Sequence, residues 1–316
     1  MEKHWTELMD LGLVHFMAYP IIKDDNPELT ISSAETTARD DFFNVLEVRR
    51  SEQPGVHEAL RRLADVSGLS LGVGAQPGLL LGKLSLNDPD AAGRQAAIDE
   101  VKKSIDAAYE LNARITAVLS GPDAAEAERP AAMDRLVGSC VALCRYAQEK
   151  ARDYTVWVSF EQFDDAIDRK CFIGPTDRAV ELAEQVKEQA PNFGLLIDLS
   201  HLPLLGETAI ESLSLAVPHL IHVHAGNAIM SDETHEGYGD MHPRFGHPAG
   251  ENGVQELSDF LSALVYTGYF QNDVPTRKPV VTFEVKPLPG ESSELVIANT
   301  KRTFRDAWTR VFGSES

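Results

Sequence analysis

The sequence predicts an α/β fold of the (β/α)8 type, a single TIM barrel that spans residues 1–316. Eight short apolar runs of β type alternate with helical patterns, and no linker or change in composition interrupts them. The last four runs also end in an acidic residue or a histidine, and a doubly wound open sheet would not normally place ligands on four consecutive strands. The expected strands cover residues 13–19, 43–48, 69–75, 115–119, 156–160, 195–197, 219–223 and 280–283.

Helical spacing between these runs supports the same fold. After the third strand, the apolar side chains of residues 98–108 recur with the helical period, and we expect Asp88 and Pro89 to cap this helix and begin its first turn. Thr176 is the expected cap of a later helix. The further helices are expected at residues 130–151, 176–190, 207–215, 254–266 and 293–312.

One connection is much longer than the others. Residues 227–253 are polar and show no helical or strand pattern. Loops of this length in a compact barrel are usually lids or binding loops. We therefore predict an active-site loop at about 227–253.

Composition excludes several kinds of partner. A formal net charge of -20 argues against nucleic acid and against an anionic membrane, because both require a basic face. No apolar run approaches the roughly 20 residues of a membrane span, and residues 1–5 do not open a secretory signal. Cys140, Cys144 and Cys171 lack the spacing of a zinc ribbon, so we interpret them as packing residues in a reducing cytoplasm.

The last four strands end in the residues that predict the chemistry: Glu161, Asp198, His224 and Glu284. A buried parallel strand is apolar, so a charged residue at its carboxyl end has to open into a cleft. Two glutamates, an aspartate and a histidine at one face of a barrel predict a divalent-metal site. The excess of carboxylates favours Mn²⁺ or Mg²⁺, with Co²⁺ and Zn²⁺ as alternatives.

These residue types indicate proton transfer next to a carbonyl. A divalent ion can polarise the carbonyl of a hydroxy-ketone, while two carboxylates on opposite sides of the neighbouring carbon take and return a proton. Glu161 and Glu284 come from strands separated by two others, so we expect them to flank a bound sugar as the acid/base pair. The sequence therefore predicts an enzyme that acts on a keto-sugar.

Other polar residues near the strand ends are candidates for substrate contacts. His201 follows Asp198 by three residues and is expected to point into the same mouth. Arg244 is the expected cation that orients substrate oxygens, and Lys286, two residues beyond Glu284, competes with it for this role.

Three further residues have more than one interpretation. His222 shares a face of its strand with His224 and is expected in a deeper layer, supporting the ligands. Asp240 and His242 in the long loop either bind a second metal ion, reach the first one, or belong to a solvated segment. His242 is also a candidate substrate contact.

The strand-end pattern resembles that of the xylose-isomerase-like barrel superfamily. Glu161 ends one strand, Asp198-x-x-His201 follows the next, His222-x-His224 the next, and Glu284 the last. The resemblance covers nearly the whole chain and includes the helix entry at residues 88–94. It is nearest to sugar isomerases and epimerases such as D-tagatose 3-epimerase and hydroxypyruvate isomerase. It implies the four metal ligands, the acid/base pair Glu161 and Glu284, and a substrate contact at His201.

The long loop departs from the epimerase pattern. Epimerases of this kind commonly carry an arginine soon after the ligand histidine, whereas Arg244 stands twenty positions beyond His224. Residues 238–246 resemble the large subunits of enzymes that cleave 3-oxo-C-glycosides together with a small partner subunit. This resemblance implies an alternative, a lyase that removes the same proton and then expels the aglycone. The substrate is then a 3-oxo-glycoside, and both a homo-oligomer and a hetero-oligomer stay open.

Other classes share this barrel. Dehydratases of keto-inositols and of dehydroshikimate use it, and related repair endonucleases carry additional metal ligands, including an Asp-x-His. The net charge of -20 disfavours a nuclease. A sugar-binding module without catalysis has no reason to keep two acid/base carboxylates on opposite walls of a cleft.

Overall fold

A computed structural model describes residues 4–312. Its eight parallel strands form one closed barrel in sequence order, from β1 to β8 and back to β1. The predicted (β/α)8 barrel is therefore confirmed. The strands are β1 (Asp10–Val14), β2 (Val45–Arg49), β3 (Ser70–Gly74), β4 (Ile115–Val118), β5 (Trp157–Glu161), β6 (Phe193–Asp198), β7 (Leu220–Ala225) and β8 (Val280–Phe283).

Helices surround the barrel and cover its apolar outer face. The long helices pack on the strands and on one another, and short helices follow β1, β3 and β6 directly. The helices are α1 (His15–Ala18), α2 (Pro27–Ala38), α3 (Val56–Ser67), α4 (Gln76–Gly82), α5 (Ala91–Glu110), α6 (Arg129–Lys150), α7 (Thr176–Lys187), α8 (His201–Leu205), α9 (Ala209–Ala216), α10 (Val254–Thr267) and α11 (Ser293–Phe312). Within the described residues, no helix is both long and apolar enough to cross a membrane.

The first strand lies earlier than the sequence predicts. The expected strand at residues 13–19 is wrong beyond Val14, where the apolar run turns into the short helix α1. β1 begins instead at Asp10, a buried carboxylate that contacts Arg277 and pairs with Val280 of β8. Because this strand starts with a charged residue, its sequence does not read as a continuous apolar run.

Two predicted helix caps are also wrong. The side chain of Asp90, and not Asp88-Pro89, caps α5 by accepting a hydrogen bond from the backbone N–H of Gly93. Thr176 is the first residue of α7 rather than its cap, and its hydroxyl bonds to the buried Gln162 and Ser212 instead.

Small residues make room for polar side chains inside the barrel. A Cβ atom at Gly72 would lie 2.9 Å from Cγ of Glu47, and one at Gly12 would lie 2.4 Å from Oγ1 of Thr282. Glu47, Thr282 and His222 are all buried, and His222 lies between the other two. The layer beneath the carboxyl ends of the strands is therefore polar, which gives the residues above it hydrogen-bonding support.

The long connection lies between β7 and α10, at residues 226–253, close to the predicted 227–253. Its single regular feature is an antiparallel bridge between Ile229 and Gly239. The loop turns inward after this bridge, and both Asp240 and His242 are buried.

Candidate active site

The structure brings together the four residues predicted as metal ligands. Each of Glu161, Asp198, His224 and Glu284 offers one ligating atom, and these atoms all lie within 4.8 Å of one another. Glu161 and Asp198 are the last residues of β5 and β6, His224 pairs with Asp198 across β6 and β7, and Glu284 follows β8. Because all the strands are parallel, their carboxyl ends meet at one mouth of the barrel.

These residues fit a divalent ion. Glu161 Oε1, Asp198 Oδ2 and His224 Nδ1 are buried and make no hydrogen bond. His224 Nδ1 lies 2.8 Å from Glu284 Oε2 and 3.5 Å from Glu161 Oε1 without being aligned for a hydrogen bond to either. Buried polar atoms are nearly always partnered, and three unpartnered ones beside the carboxylate of Glu284 match the donor set that a divalent cation requires.

A carboxylate that the sequence analysis missed orients the histidine. Glu47 of β2 is buried, and its two oxygens contact His222 Nε2 at 2.7 Å and His224 Nε2 at 3.0 Å. With Nε2 occupied, His224 presents Nδ1 to the cluster. The prediction that His222 lies one layer deeper agrees with this placement. Glu47 could have been identified from the sequence, because it is the one charged residue within the apolar run 45–48.

Glu161 and Glu284 lie in different electrostatic surroundings. Burial raises the pKa of Glu161 and outweighs the lowering by His224, and the nearby charge of Glu284 adds to the increase. Burial would also raise the pKa of Glu284, but the positive charges of His242 and His224 outweigh burial and lower it. Two carboxyl groups with pKa values displaced in opposite directions can hold one proton between them.

A second buried carboxylate ties the long loop to the barrel. Asp240 contacts His201 Nε2 at 3.0 Å, His242 Nε2 at 2.7 Å and Arg169 Nε at 2.8 Å. Burial would lower the pKa of both histidines, but Asp240 and the neighbouring carboxylates outweigh it and raise the pKa of His201 to about 10 and that of His242 to about 9. The loop around Asp240 is therefore held by charge and is not a solvated segment.

His201 is not placed where a substrate contact was expected. Its Nε2 contacts Asp240, its Nδ1 contacts the backbone oxygen of Gln162 at 2.7 Å, and its ring packs on Phe163. The imidazole is completely buried with both nitrogens occupied, so it positions Asp240. His242 keeps a buried Nδ1 without a hydrogen bond, 3.9 Å from Asp198 Oδ2, and faces the cluster.

A cavity of about 700 Å³ opens above the cluster. Its buried floor contains Glu161, Glu284, Asp240, His242 and Gln76, and the amide of Gln76 donates to Glu161 Oε2 at 2.7 Å. Its more accessible wall comes from the segments that follow β1 and β3. That wall consists of Phe16, Met17, Pro20, Pro77, Leu80 and Leu81.

The cations of the cavity are Lys286 and Arg169 near the floor, with Arg49 and Lys23 further out. Burial lowers the pKa of Lys286, and the charge of Arg169 lowers it further. Arg244 does not line the cavity, because its Nε donates to Glu291 Oε1 at 2.9 Å outside it. Lys286 lines the cavity, as a substrate contact would, and so does Arg169, which the sequence analysis did not single out.

Comparison with known proteins is consistent with this geometry. A family model described as a xylose isomerase-like TIM barrel matches residues 34–297. The chain belongs to this family. The resemblance inferred from the strand ends is thus confirmed. No curated protein matches the sequence significantly.

Solved structures share the fold at low sequence identity. A D-tagatose 3-epimerase-like protein is 18% identical with a TM-score of 0.69, over 96% of this chain and 100% of that one. The IolI protein, whose structure holds a zinc atom, is 19% identical with a TM-score of 0.68, over 96% and 99%. The 3-keto-D-glucoside 4-epimerase of E. coli is 12% identical with a TM-score of 0.66, over 93% and 98%.

Proposed function

We propose that the protein is a divalent-metal-dependent enzyme that removes and returns a proton next to a sugar carbonyl, as a sugar isomerase or epimerase. The supporting observation is the pair of buried carboxylates, Glu161 and Glu284, on the two sides of unpartnered metal-ligating atoms at the floor of a cavity. The similarity of the fold to D-tagatose 3-epimerase-like proteins agrees with this reaction.

The residues have separate tasks in this reaction. A divalent ion held by Glu161, Asp198, His224 and Glu284 would polarise the carbonyl of the sugar. One glutamate takes the proton from the neighbouring carbon, and the other delivers a proton from its own side. Lys286 donates to a sugar oxygen and orients the ring between the two glutamates.

Three carboxylates and a single histidine favour Mn²⁺ over a softer ion, and we propose Mn²⁺ as the resident metal. The structure of the IolI protein holds a zinc atom, so Zn²⁺ is the main alternative to be compared. Calorimetric titration of the metal-free protein with Mn²⁺, Mg²⁺, Co²⁺ and Zn²⁺ would rank them by affinity, and metal analysis of the protein as purified would identify the resident ion.

The test of the reaction is deuterium exchange. The Mn²⁺-loaded protein is incubated in D₂O with D-tagatose, D-fructose, D-psicose and 3-oxo-glucosides and followed by NMR. We expect deuterium at the carbon next to the carbonyl together with an isomer or epimer of the substrate. Absence of exchange with every compound would refute proton transfer as the function.

A lyase acting on 3-oxo-glycosides is the second candidate, and the size and apolar wall of the cavity favour it. Removal of the proton at C2 of such a substrate gives an enolate, whose electron pair expels the aglycone from C1. The departing aglycone anion then takes up a proton. Aglycone would then be released in the same experiment, and a small protein that co-purifies with the chain would increase this release. That result would identify the function as a lyase instead of an isomerase. It would also identify the protein as one subunit of a hetero-oligomer.

A further inference from the structure

The cavity is larger than a monosaccharide requires. A hexose has twelve non-hydrogen atoms, and at no more than the roughly 30 Å³ that a water molecule occupies in the liquid, they fill at most about 360 Å³. The cavity measures about 700 Å³. Nearly half of it is therefore available to something other than the sugar ring.

The second half of the space has an apolar boundary. α4 contains three consecutive leucines, and consecutive helical residues cannot all face the same side. Leu79 packs in the core at 2% exposure, whereas Leu80 is 37% exposed and Leu81 77% exposed along the wall. Exposed apolar side chains that adjoin a cavity are typical of a ligand-binding surface.

Another part of this wall is aromatic and packs against a glycine. A Cβ atom at Gly74, the last residue of β3, would lie 3.0 Å from two ring carbons of Phe16. Without that atom, the Phe16 ring lies close over the strand end and borders the cavity beside Met17. An aromatic ring and a flexible thioether are side chains that accept flat apolar groups.

The wall is formed before a ligand arrives. The guanidinium Nη2 of Arg49 donates to the backbone oxygens of Ile22 at 2.6 Å and Lys23 at 2.9 Å. These bonds fasten the segment after α1, including Pro20, to the end of β2. A preformed apolar wall binds a ligand without the cost of ordering the segment on binding.

We infer that the substrate is a glycoside of a keto-sugar with an apolar, planar aglycone, and that Phe16, Met17, Leu80 and Leu81 form the subsite for that aglycone. This inference rests on the proposed function, which places the sugar between Glu161 and Glu284. The aglycone then extends from the polar floor toward the open end of the cavity, along the leucines of α4. In this placement Lys286 and Arg169, which line the cavity near its floor, would face the sugar oxygens.

The test measures binding and needs no turnover. Phenyl β-D-glucoside and methyl β-D-glucoside are titrated by calorimetry into the Mn²⁺-loaded protein. We expect the phenyl glycoside to bind at least about tenfold more tightly, because its additional carbons leave water for the apolar wall. Equal affinities, or no measurable binding of either glycoside, would overturn the subsite.

A double variant, L80Q with L81Q, locates the effect. Leu80 is 37% exposed and Leu81 77% exposed, so we expect the double variant to fold, and its thermal unfolding midpoint checks this. We expect the ratio of the two dissociation constants to fall close to one in this variant, and to stay at the wild-type value in L295Q. Leu295 is 70% exposed on α11 and does not line the cavity. A ratio that the double variant leaves unchanged would also overturn the subsite.

Deuterium exchange in the same preparation separates this inference from the proposed function. A preference for the phenyl glycoside without any exchange would refute proton transfer and leave the subsite in place. Exchange on free ketoses without that preference would refute the subsite alone.

Discussion

The two halves of the barrel place different kinds of residue at the same mouth. β5 to β8 end in the charged cluster of Glu161, Asp198, His224 and Glu284. β1 and β3 are followed by the short helices α1 and α4, which supply the apolar wall of the cavity. Under the proposed function the two halves have different roles, since the second half holds the groups that would react and the first half determines what else fits beside them.

Residues of the first half also form hydrogen bonds to the charged cluster. Glu47 of β2 crosses the barrel interior to bind His222 and His224 of β7, and Gln76 of α4 binds Glu161. These contacts join the first half to the half that carries the predicted metal ligands. Substitution of a glutamate in the charged cluster should accordingly abolish the reaction, and substitution of the supporting residues of the first half should weaken metal or substrate binding.

Glu284→Gln should have the largest effect on turnover. The amide cannot transfer the proton, so we expect kcat to fall by roughly 10²–10⁴-fold, with a fall of the same order in Glu161→Gln. Steady-state rates at saturating Mn²⁺ check this. Glu291→Gln is the matched control, because Glu291 pairs with Arg244 outside the cavity. Turnover within a few-fold of the parent in both cluster variants would contradict the division between the halves.

Asp240→Asn should have the largest effect on stability. Loss of the charge leaves Arg169, His201 and His242 without their shared buried partner, so we expect the free energy of unfolding to drop by about 3 kcal/mol. Urea unfolding of the metal-free protein measures the change. Asp232→Asn, at an exposed turn in the same loop, should change it by much less; equal losses would show that the bridge does not hold the loop.

Glu47→Gln tests the support from the first half. Its amide nitrogen cannot accept from an imidazole, so one buried histidine loses its partner and His224 is less well oriented. We expect Mn²⁺ affinity to fall by about 10- to 100-fold in a calorimetric titration. Glu58→Gln, on the exposed face of α3, is the control with the same change of charge. An unaltered dissociation constant for Mn²⁺ would separate Glu47 from the metal centre.

Lys286→Met should have the smallest effect of these substitutions, and it should act mainly on KM. Removal of one charged donor beside the sugar should raise KM by about tenfold and change kcat less, because the contact is present in the ground state and the transition state alike. Arg244→Met removes a cation that lies outside the cavity, and its KM should stay near that of the parent. The reverse result would return the substrate contact to Arg244.

The fold was predictable because buried parallel strands are continuous apolar runs. β2 to β8 lie within a few residues of their predicted positions. β1 was displaced because it starts at a buried aspartate, while Phe16 and Met17 after Val14 belong to the short helix α1 and line the cavity. A run of apolar residues does not distinguish the core from a ligand-binding wall.

The cluster was predictable for the same reason, since a charged side chain at the end of a buried apolar strand has to face a polar cavity. The position of Arg169 was not predictable. Asp164 accepts hydrogen bonds from the backbone of Ile167, Asp168 and Arg169, and this turn directs Arg169 toward Asp240, 71 residues away in the sequence. Pairing over such a distance leaves no pattern that local spacing could reveal.

The most direct measurement is the anomalous difference density of a crystal soaked in Mn²⁺. The account predicts one strong peak between Glu161 Oε1, Asp198 Oδ2, His224 Nδ1 and the carboxylate of Glu284. A peak elsewhere, for example between His201, Asp240 and His242, with none at the four strand ends, would contradict it.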